Sequence, residues 1–163
     1  VRPFVRWPDA RLRTAVPEVP GITDEVRAIW ADMVETMDAM PGVGLAAPQI
    51  GVMLQLAVVD VSDTRDRRIL MANPVILDAS SIMRAHEEAS PNLPGVYAKI
   101  KRPRGVSVRF MDENGVQVRR DFVDLEATSV QHQIDHLQGR MYFDRLSRTK
   151  RDMLLRRARK TGG

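Results

Sequence analysis

The segment His132-Gln133-Ile134-Asp135-His136 contains two of the three histidines in this 163-residue chain. If the segment is helical, histidines four residues apart lie one turn apart on the same face, where both imidazoles can reach one metal ion. Val130, Ile134 and Leu137 fall on a different side, so the histidines are not part of the apolar stripe of the helix. The pair indicates a metal site; the alternative is a pair of surface or hydrogen-bonded core histidines.

Gln133 follows the first histidine, at the position where a metallohydrolase of the H-E-x-x-H type has a glutamate. That glutamate accepts a proton from metal-bound water. Glutamine has nearly the same shape and can hold a water molecule by hydrogen bonds, but its amide takes up no proton near pH 7. The segment therefore predicts the framework of a metallohydrolase without its general base.

Two further stretches combine small residues with proline. Gly42-Val43-Gly44-Leu45-Ala46-Ala47-Pro48-Gln49 is either a tight turn after a helix or a loop through which backbone approaches a ligand, with Gln49 as an amide donor. The stretch 87–95 contains Pro91 and Pro94, which restrict the backbone and have no N–H. The chemistry of this second stretch alone predicts a rigid surface turn.

The remaining pattern predicts an α+β fold. An extended, proline-rich lead-in of about 20 residues precedes a helix whose N-cap is Thr23. Strands are expected at 54–61, 105–111 and 116–123, the last two as a hairpin. Two helices, at about 128–137 and 147–160, end the chain. Helix, then mostly antiparallel strands, then helix is the element order of an α+β domain.

Composition limits the class of protein. Apolar residues make up 44% of the chain and charged residues 28%, which is typical of a globular protein. No apolar run approaches the roughly 18 residues needed to span a bilayer, and the N-terminus has no apolar signal-peptide core, so we expect a cytoplasmic protein. Cysteine is absent, which excludes disulfides and thiolate ligands. No repeat or linker divides the sequence, so a single domain over 1–163 is expected.

Basic residues concentrate at the C-terminus. Residues 141–163 contain eight lysines and arginines against two acids, whereas the whole chain has a net charge of +4, so the rest is mildly acidic. A basic helix on an acidic body indicates a polyanionic partner. The alternative is a solvated helix face whose charges only keep the protein soluble.

In their order and separation, these three stretches resemble the signature motifs of the bacterial peptide deformylase family, and the likeness runs from about Pro8 to Ser147. The motif G-x-G-L-A-A-P-Q is matched in full by 42–49, and Q-H-E-x-D-H is matched by 131–136 except at Gln133. The motif E-G-C-L-S keeps only Glu88. The other four positions of that motif are occupied by Ala89, Ser90, Pro91 and Asn92. The flanking sequence also resembles the family at Asn73-Pro74, Leu93-Pro94-Gly95 and Arg102.

The resemblance implies a peptide deformylase-like fold, with antiparallel sheets around a central helix that carries the histidine pair and with helices near both ends. Family members hold a divalent metal with two histidines and a cysteine, and they remove the formyl group from the N-terminal methionine of nascent chains. The corresponding ligands are His132, His136 and Ser90, a neutral and weak replacement for cysteine. An Fe²⁺, Zn²⁺ or Ni²⁺ ion is therefore expected at reduced affinity or not at all. Asp135 and Glu88 would support the ligands from behind.

The resemblance also assigns the groups that contact the substrate. In the family, the amide of the glutamine that matches Gln49 and the backbone N–H after the cysteine polarise the formyl oxygen, but Pro91 has no N–H to donate. Tyr97 and apolar residues near Ile134 would line a methionine-sized pocket. The full set of expected catalytic and peptide contacts is Gln133, Gln49, Gly44, Leu45, Gly42, Val43, Leu93, Pro94, Gly95 and Tyr97.

Three functions remain as alternatives. The first is a deformylase-like protein that binds a nascent or formylated peptide N-terminus but is impaired in cleaving it. The second is an active metal-dependent hydrolase that adds Glu88 or Asp135 to the two histidines as a third ligand. The third is a ribosome-associated factor that acts through the basic C-terminal helix, with neither a membrane nor a specific nucleic-acid sequence as its partner.

Overall fold

A computed structural model describes residues 1–161; Gly162 and Gly163, which complete the expected range of the domain, lie outside the described residues. Three α-helices occur within this part of the chain: α1 (Asp24–Ala39), α2 (Asp124–Leu137) and α3 (Arg148–Lys160). The strands are β1 (Gly44–Ala46), β2 (Leu56–Val59), β3 (Ile69–Ala79), β4 (Met83–Glu88), β5 (Ala98–Pro103), β6 (Gly105–Met111) and β7 (Gln117–Val123). Short 3-10 turns cover Ala10–Arg13, Ala47–Ile50 and Tyr142–Arg145.

Helix α1 begins where the sequence predicts. The side chain of Thr23 accepts a hydrogen bond from the backbone N–H of Val26, which satisfies one of the free donors at the start of the helix. The helix ends just before Pro41. Its buried face repeats at three- and four-residue spacing and consists of Val26, Ile29, Trp30, Met33, Val34, Thr36 and Met37.

The strands form two antiparallel sheets. The larger has the order β1-β2-β3-β6-β7, so β1 is an edge strand, and the smaller pairs β4 with β5. The predicted hairpin is present as β6 and β7, and the predicted strand at 54–61 is observed as the shorter β2. Strands β1, β3, β4 and β5 were not predicted. Strand β1 has only three residues, the pattern of β3 is interrupted by Asn73-Pro74, and β4 and β5 are short and largely polar, so none of the four gives a strong apolar strand signal.

Helix α2 lies at the centre of the molecule and packs against strands of both sheets. It begins at Asp124, four residues before the expected start, and ends at Leu137 as expected. From Ala127 onward every residue of the helix except His132 is buried, including six polar ones. The first turn escaped the sequence analysis because Val123 supplies no capping side chain that would mark the start of the helix.

The two ends of the chain pack on this body. In the lead-in, the N–H of Val5 donates to the carbonyl of Gln49 and that of Val16 donates to the carbonyl of Leu137. Helix α3 matches its predicted range: the side chain of Ser147 caps its first turn, and Leu154 is buried within it. The fold class is therefore the predicted one, with helices and antiparallel sheets around a central helix. No helix within residues 1–161 is long and apolar enough to cross a membrane.

Candidate functional site

The two histidines of α2 face each other across one turn of the helix. The Nε2 atoms of His132 and His136 are 3.2 Å apart. Nitrogens that each bind one tetrahedral ion at about 2.0–2.1 Å are separated by about 3.3 Å, so this pair has the spacing of two ligands. Burial lowers the pKa of His136 well below its ordinary value, with further contributions from His132 and Arg102. His136 is therefore neutral, as a metal ligand must be.

Glu88 orients the first histidine. Its Oε1 lies 2.8 Å from Nδ1 of His132, and both of its oxygens accept hydrogen bonds from Arg102, at 2.6 and 2.9 Å. Burial raises the pKa of Glu88, but the hydrogen bonds from His132 and Arg102 outweigh it and bring the pKa to about 2. An ionised carboxylate at Nδ1 keeps the proton on that nitrogen and leaves the lone pair on Nε2.

Asp135 supports the site through the same arginine. It accepts one hydrogen bond from Arg102, at 2.9 Å, and two from Arg145, at 2.8 and 2.9 Å. Both carboxylates are held by arginines and Glu88 also contacts Nδ1 of His132, so this arrangement does not favour the alternative in which Glu88 or Asp135 is the third metal ligand. Within residues 1–161, no three histidine, aspartate or glutamate side chains are placed to hold one ion.

Ser90 is a poor replacement for an anionic ligand. It is buried, its hydroxyl donates to Oδ1 of Asn92 at 3.0 Å, and its Oγ accepts from the backbone N–H of Asn92 at 3.2 Å. A hydroxyl is neutral and binds borderline metals weakly. The histidine pair thus fits two positions of a metal site, but the donor set as a whole does not fit a tightly held divalent ion.

Gln133 projects from α2 toward β1. Its side chain is 3% exposed, and its Oε1 has no hydrogen-bond partner among the described residues. A Cβ atom added to Gly44 would lie 2.5 Å from Nε2 of Gln133 and 2.5 Å from Oγ of Ser129. Strand β1 can approach α2 this closely only because position 44 is glycine.

Asn92 is a polar residue that the sequence analysis did not single out. It is fully buried, and its Nδ2 donates to the carbonyls of Val5, at 2.6 Å, and Gln49, at 3.0 Å. Its Oδ1 accepts from Nε2 of Gln49 at 2.8 Å, while Oε1 of Gln49 accepts from the backbone N–H of Ala46. One hydrogen of the Gln49 amide is therefore already engaged by Asn92. The only sequence signal for this role was the change within the second motif.

A cavity of about 470 Å³ opens beside the histidine pair, between the edge of β1, the chain that follows β4 and one face of α2. The expected site residues that line it are Gly42, Val43, Gly44, Gln49, Glu88, Ser90, Pro91, Pro94, His132 and Gln133. These residues come from three separate stretches of the sequence. The structure thus brings the three motifs together around one cavity.

Four expected contacts lie elsewhere. Leu45 is buried against α1, and Leu93 is buried in the core below α3. Gly95 and Tyr97 border a different cavity, together with Arg157 of α3, and Tyr97 is 63% exposed. The backbone of Gly95 has a φ of +88°, which turns the chain away from the histidine pair after Pro94. The placement of Tyr97 in a methionine-sized pocket is therefore wrong.

The apolar residues expected near Ile134 do not line the cavity either, because Ile134 packs in the core of the larger sheet. The cavity wall is formed instead by residues that the sequence analysis missed: Met40, Pro41, His86, Glu87, Ala89, Leu125, Thr128 and Ser129. The residues at 125, 128, 129 and 132 recur at three- and four-residue spacing. That spacing was the signal that could have placed them on the same face as His132.

The comparisons with known proteins agree with this geometry. The family model described as polypeptide deformylase matches residues 1–152. The peptide deformylase of Hydrogenovibrio crunogenus is 40% identical over 157 residues, which cover 96% of this chain and 92% of that protein. The crystal structure of a peptide deformylase from Legionella pneumophila has a TM-score of 0.91 at 35% identity, covering 99% of this chain and 95% of that one. For the peptide deformylase from Ehrlichia chaffeensis in complex with actinonin, the TM-score is 0.91 at 32% identity, with coverage of 99% and 97%.

Proposed function

The chain belongs to the polypeptide deformylase family, and on this premise we propose that it binds a peptide N-terminus but is strongly impaired in removing a formyl group from it. The ligand would be the formylated N-terminus of a nascent chain, and the protein would then act in the cytoplasm. One domain would comprise the whole chain, since the matched family model spans residues 1–152.

The observation that carries the proposal is the amide of Gln133 between the histidine pair and Gly44. A hydrolase needs a group here that takes a proton from the attacking water and passes it to the leaving amine. The amide of glutamine does neither. Loss of a general base costs about 10²–10⁴ in rate, so this change alone would cripple the reaction.

Two further features support impairment. Ser90 offers a neutral hydroxyl, already bonded to Asn92, in place of an anionic sulfur. Pro91 has no N–H with which to stabilise a developing oxyanion, and the loss of one such donor costs about 10²–10³ in rate. These penalties do not multiply, because the groups act as a unit.

Peptide binding is supported by the position of β1. This strand is at the edge of the five-stranded sheet, and Gly42, Val43 and Gly44 line the cavity. An extended peptide can add to such an edge as a further strand, with main-chain hydrogen bonds supplying the affinity. The peptide's first residue would then lie beside His132 and Gln133.

The test is turnover of a formyl-Met peptide by the metal-loaded protein, together with binding of the same peptide measured by calorimetry. We expect binding, and a rate at least about 10²-fold below that of a standard deformylase measured in parallel. The triple variant Ser90→Cys, Pro91→Leu, Gln133→Glu restores the family residue at the three positions that would take part in the reaction, and it should recover activity. Wild-type activity within tenfold of the standard enzyme would overturn the proposal.

A second proposed function is ribosome contact through α3. Leu154 and Ala158 bury one face of this helix, and six cations on its other faces are exposed and form no ion pair within residues 1–161. They are Arg148, Lys150, Arg156, Arg157, Arg159 and Lys160. Replacing Arg148, Lys150, Arg156 and Arg159 by glutamine leaves the buried face intact and should abolish co-sedimentation with ribosomes at low salt. Unchanged co-sedimentation would contradict this second proposal.

A further inference from the structure

One wall of the cavity beside His132 is polar, although it faces apolar residues. On α2 this wall consists of Thr128 and Ser129, next to His132 and Gln133. His86 of β4 lies across from them. Apolar side chains complete the cavity: Met40 and Val43 come from the chain that leads into β1, and Leu125 comes from α2 itself.

The side-chain contacts between β4 and α2 fix the position of His86. Alternate residues of a strand share a face, so Arg84, His86 and Glu88 project to the same side. Arg84 donates to Oγ1 of Thr128 at 3.0 Å, and Glu88 contacts Nδ1 of His132 at 2.8 Å. The half-buried His86 therefore faces the turn of α2 between these two contacts.

Several polar groups of this wall have hydrogen-bonding capacity to spare. The Thr128 hydroxyl accepts from Arg84, which leaves its own hydrogen free to donate to a ligand. The Oε1 atom of Gln133 is buried without a partner among the described residues. No hydrogen bond within residues 1–161 engages the ring of His86. Buried polar groups are normally paired, so an unpaired one that borders a cavity points to a ligand that pairs with it.

We infer that this wall selects the first side chain of the bound peptide, and that it prefers a neutral side chain with a hydrogen-bonding end, such as glutamine or methionine sulfoxide, over an apolar one. The inference rests on the proposed peptide-binding function. The methylene groups of such a side chain would pack on Val43 and Leu125, and its terminal oxygen or amide would pair with His86, Thr128 or Gln133. Glu87 at the edge of the cavity disfavours an acidic side chain, and Arg84 disfavours a basic one.

The experiment measures the dissociation constants of four N-formyl tripeptides that differ only in the first residue: norleucine, methionine, methionine sulfoxide or glutamine. Because a hydrogen bond between neutral groups is worth about a three- to tenfold change in affinity, glutamine and the sulfoxide should bind tighter than norleucine by that factor. In His86→Leu the preference should disappear or reverse. The matched control is Met83→Leu, on the exposed face of the same strand, which should leave the order unchanged.

Thr128→Val is a second variant, which removes the hydroxyl without involving His86 and should also reduce the preference. Circular dichroism checks that each variant is folded. If norleucine binds as tightly as glutamine to the wild type, or if neither variant changes the order, the inference is overturned while the binding function stands. If none of the four peptides binds, the proposed function fails as well, and the inference fails with it.

Discussion

The differences from the family motifs fall on residues that would take part in the reaction: Ser90, Pro91 and Gln133. The neighbouring residues that orient the site keep their hydrogen bonds. Glu88 still pairs with His132 and Arg102, and Asp135 still pairs with Arg102 and Arg145. The two buried carboxylates are balanced by the two guanidinium groups, so the cluster is satisfied without an ion. At the scale of single residues, the proposed impairment therefore predicts that local substitutions change metal content and activity.

We predict that Ser90→Cys increases bound metal. A thiolate at position 90 would add an anionic ligand beside Nε2 of His132 and His136, which already have ligand spacing. Elemental analysis of untagged protein should give well below one ion per wild-type chain and close to one per Ser90→Cys chain. The control is Ser81→Cys, at an exposed position far along the chain from both histidines, which should behave as the wild type.

Two results would contradict this prediction. Stoichiometric metal in the wild type would show that the two histidines and a hydroxyl suffice. Equal metal content in Ser90→Cys and Ser81→Cys would show that position 90 does not reach the ion.

At the scale of elements, the site depends on how closely β1 packs on α2. Gly44 lies directly against Gln133 and Ser129, so a methyl group at position 44 would have to displace two buried side chains. The same contact places the edge of β1 beside the cavity. Strand and helix are therefore coupled through a single glycine.

We predict that Gly44→Ala destabilises the protein by about 1–3 kcal/mol, the usual cost of overpacking a tight contact, and weakens peptide binding. Urea unfolding and calorimetry measure the two effects. Gly21→Ala is the matched control, because a Cβ at position 21 meets nothing within 4 Å. It should change the free energy of unfolding by no more than about 0.5 kcal/mol. Equal effects of the two substitutions would show that the contact between β1 and α2 is loose.

The elements that could be predicted from the sequence are those with one buried face. Helices α1 and α3 have apolar residues at helical spacing and a side chain that caps the first turn, and the β6–β7 hairpin has a turn at Asn114-Gly115. Helix α2 is different because it is buried on all sides. Two of its buried polar side chains donate to backbone carbonyls far away in the chain, Ser129 to Val43 and Gln131 to Pro103, and no local pattern contains such contacts.

The site residues that belong to short sequence motifs could be predicted. The site residues whose positions depend on the path of the backbone between the motifs could not. The spacing of His132 and His136 predicts their proximity on a helix, as the structure has it. Tyr97 was misplaced because the positive φ at Gly95 redirects the backbone toward α3. His86 was missed because a largely polar strand such as β4 gives no signal of the face that it turns toward α2.

At the scale of the whole molecule, Asn92 joins the site to the N-terminal segment. Its side-chain amide donates to the backbone carbonyls of Val5 and Gln49, and its backbone carbonyl accepts from the N–H of Trp7. The N–H of Val5 in turn donates to the carbonyl of Gln49. The lead-in is thus fastened to the loop that carries the amide of Gln49, and a change in one should be felt by the other.

We predict that Asn92→Ala loosens the N-terminal segment as well as the site. The substitution leaves the buried carbonyls of Val5 and Gln49 and the amide of Gln49 with fewer partners, which should cost about 2–4 kcal/mol of the free energy of unfolding. Hydrogen exchange should accelerate at the backbone amides of Val5 and Trp7, whereas Asn114→Ala, in the exposed β6–β7 turn, should leave both unchanged. If Asn92→Ala lowers stability but exchange at these two amides accelerates no more than elsewhere in the chain, Asn92 stabilises the core without fastening the lead-in to the site.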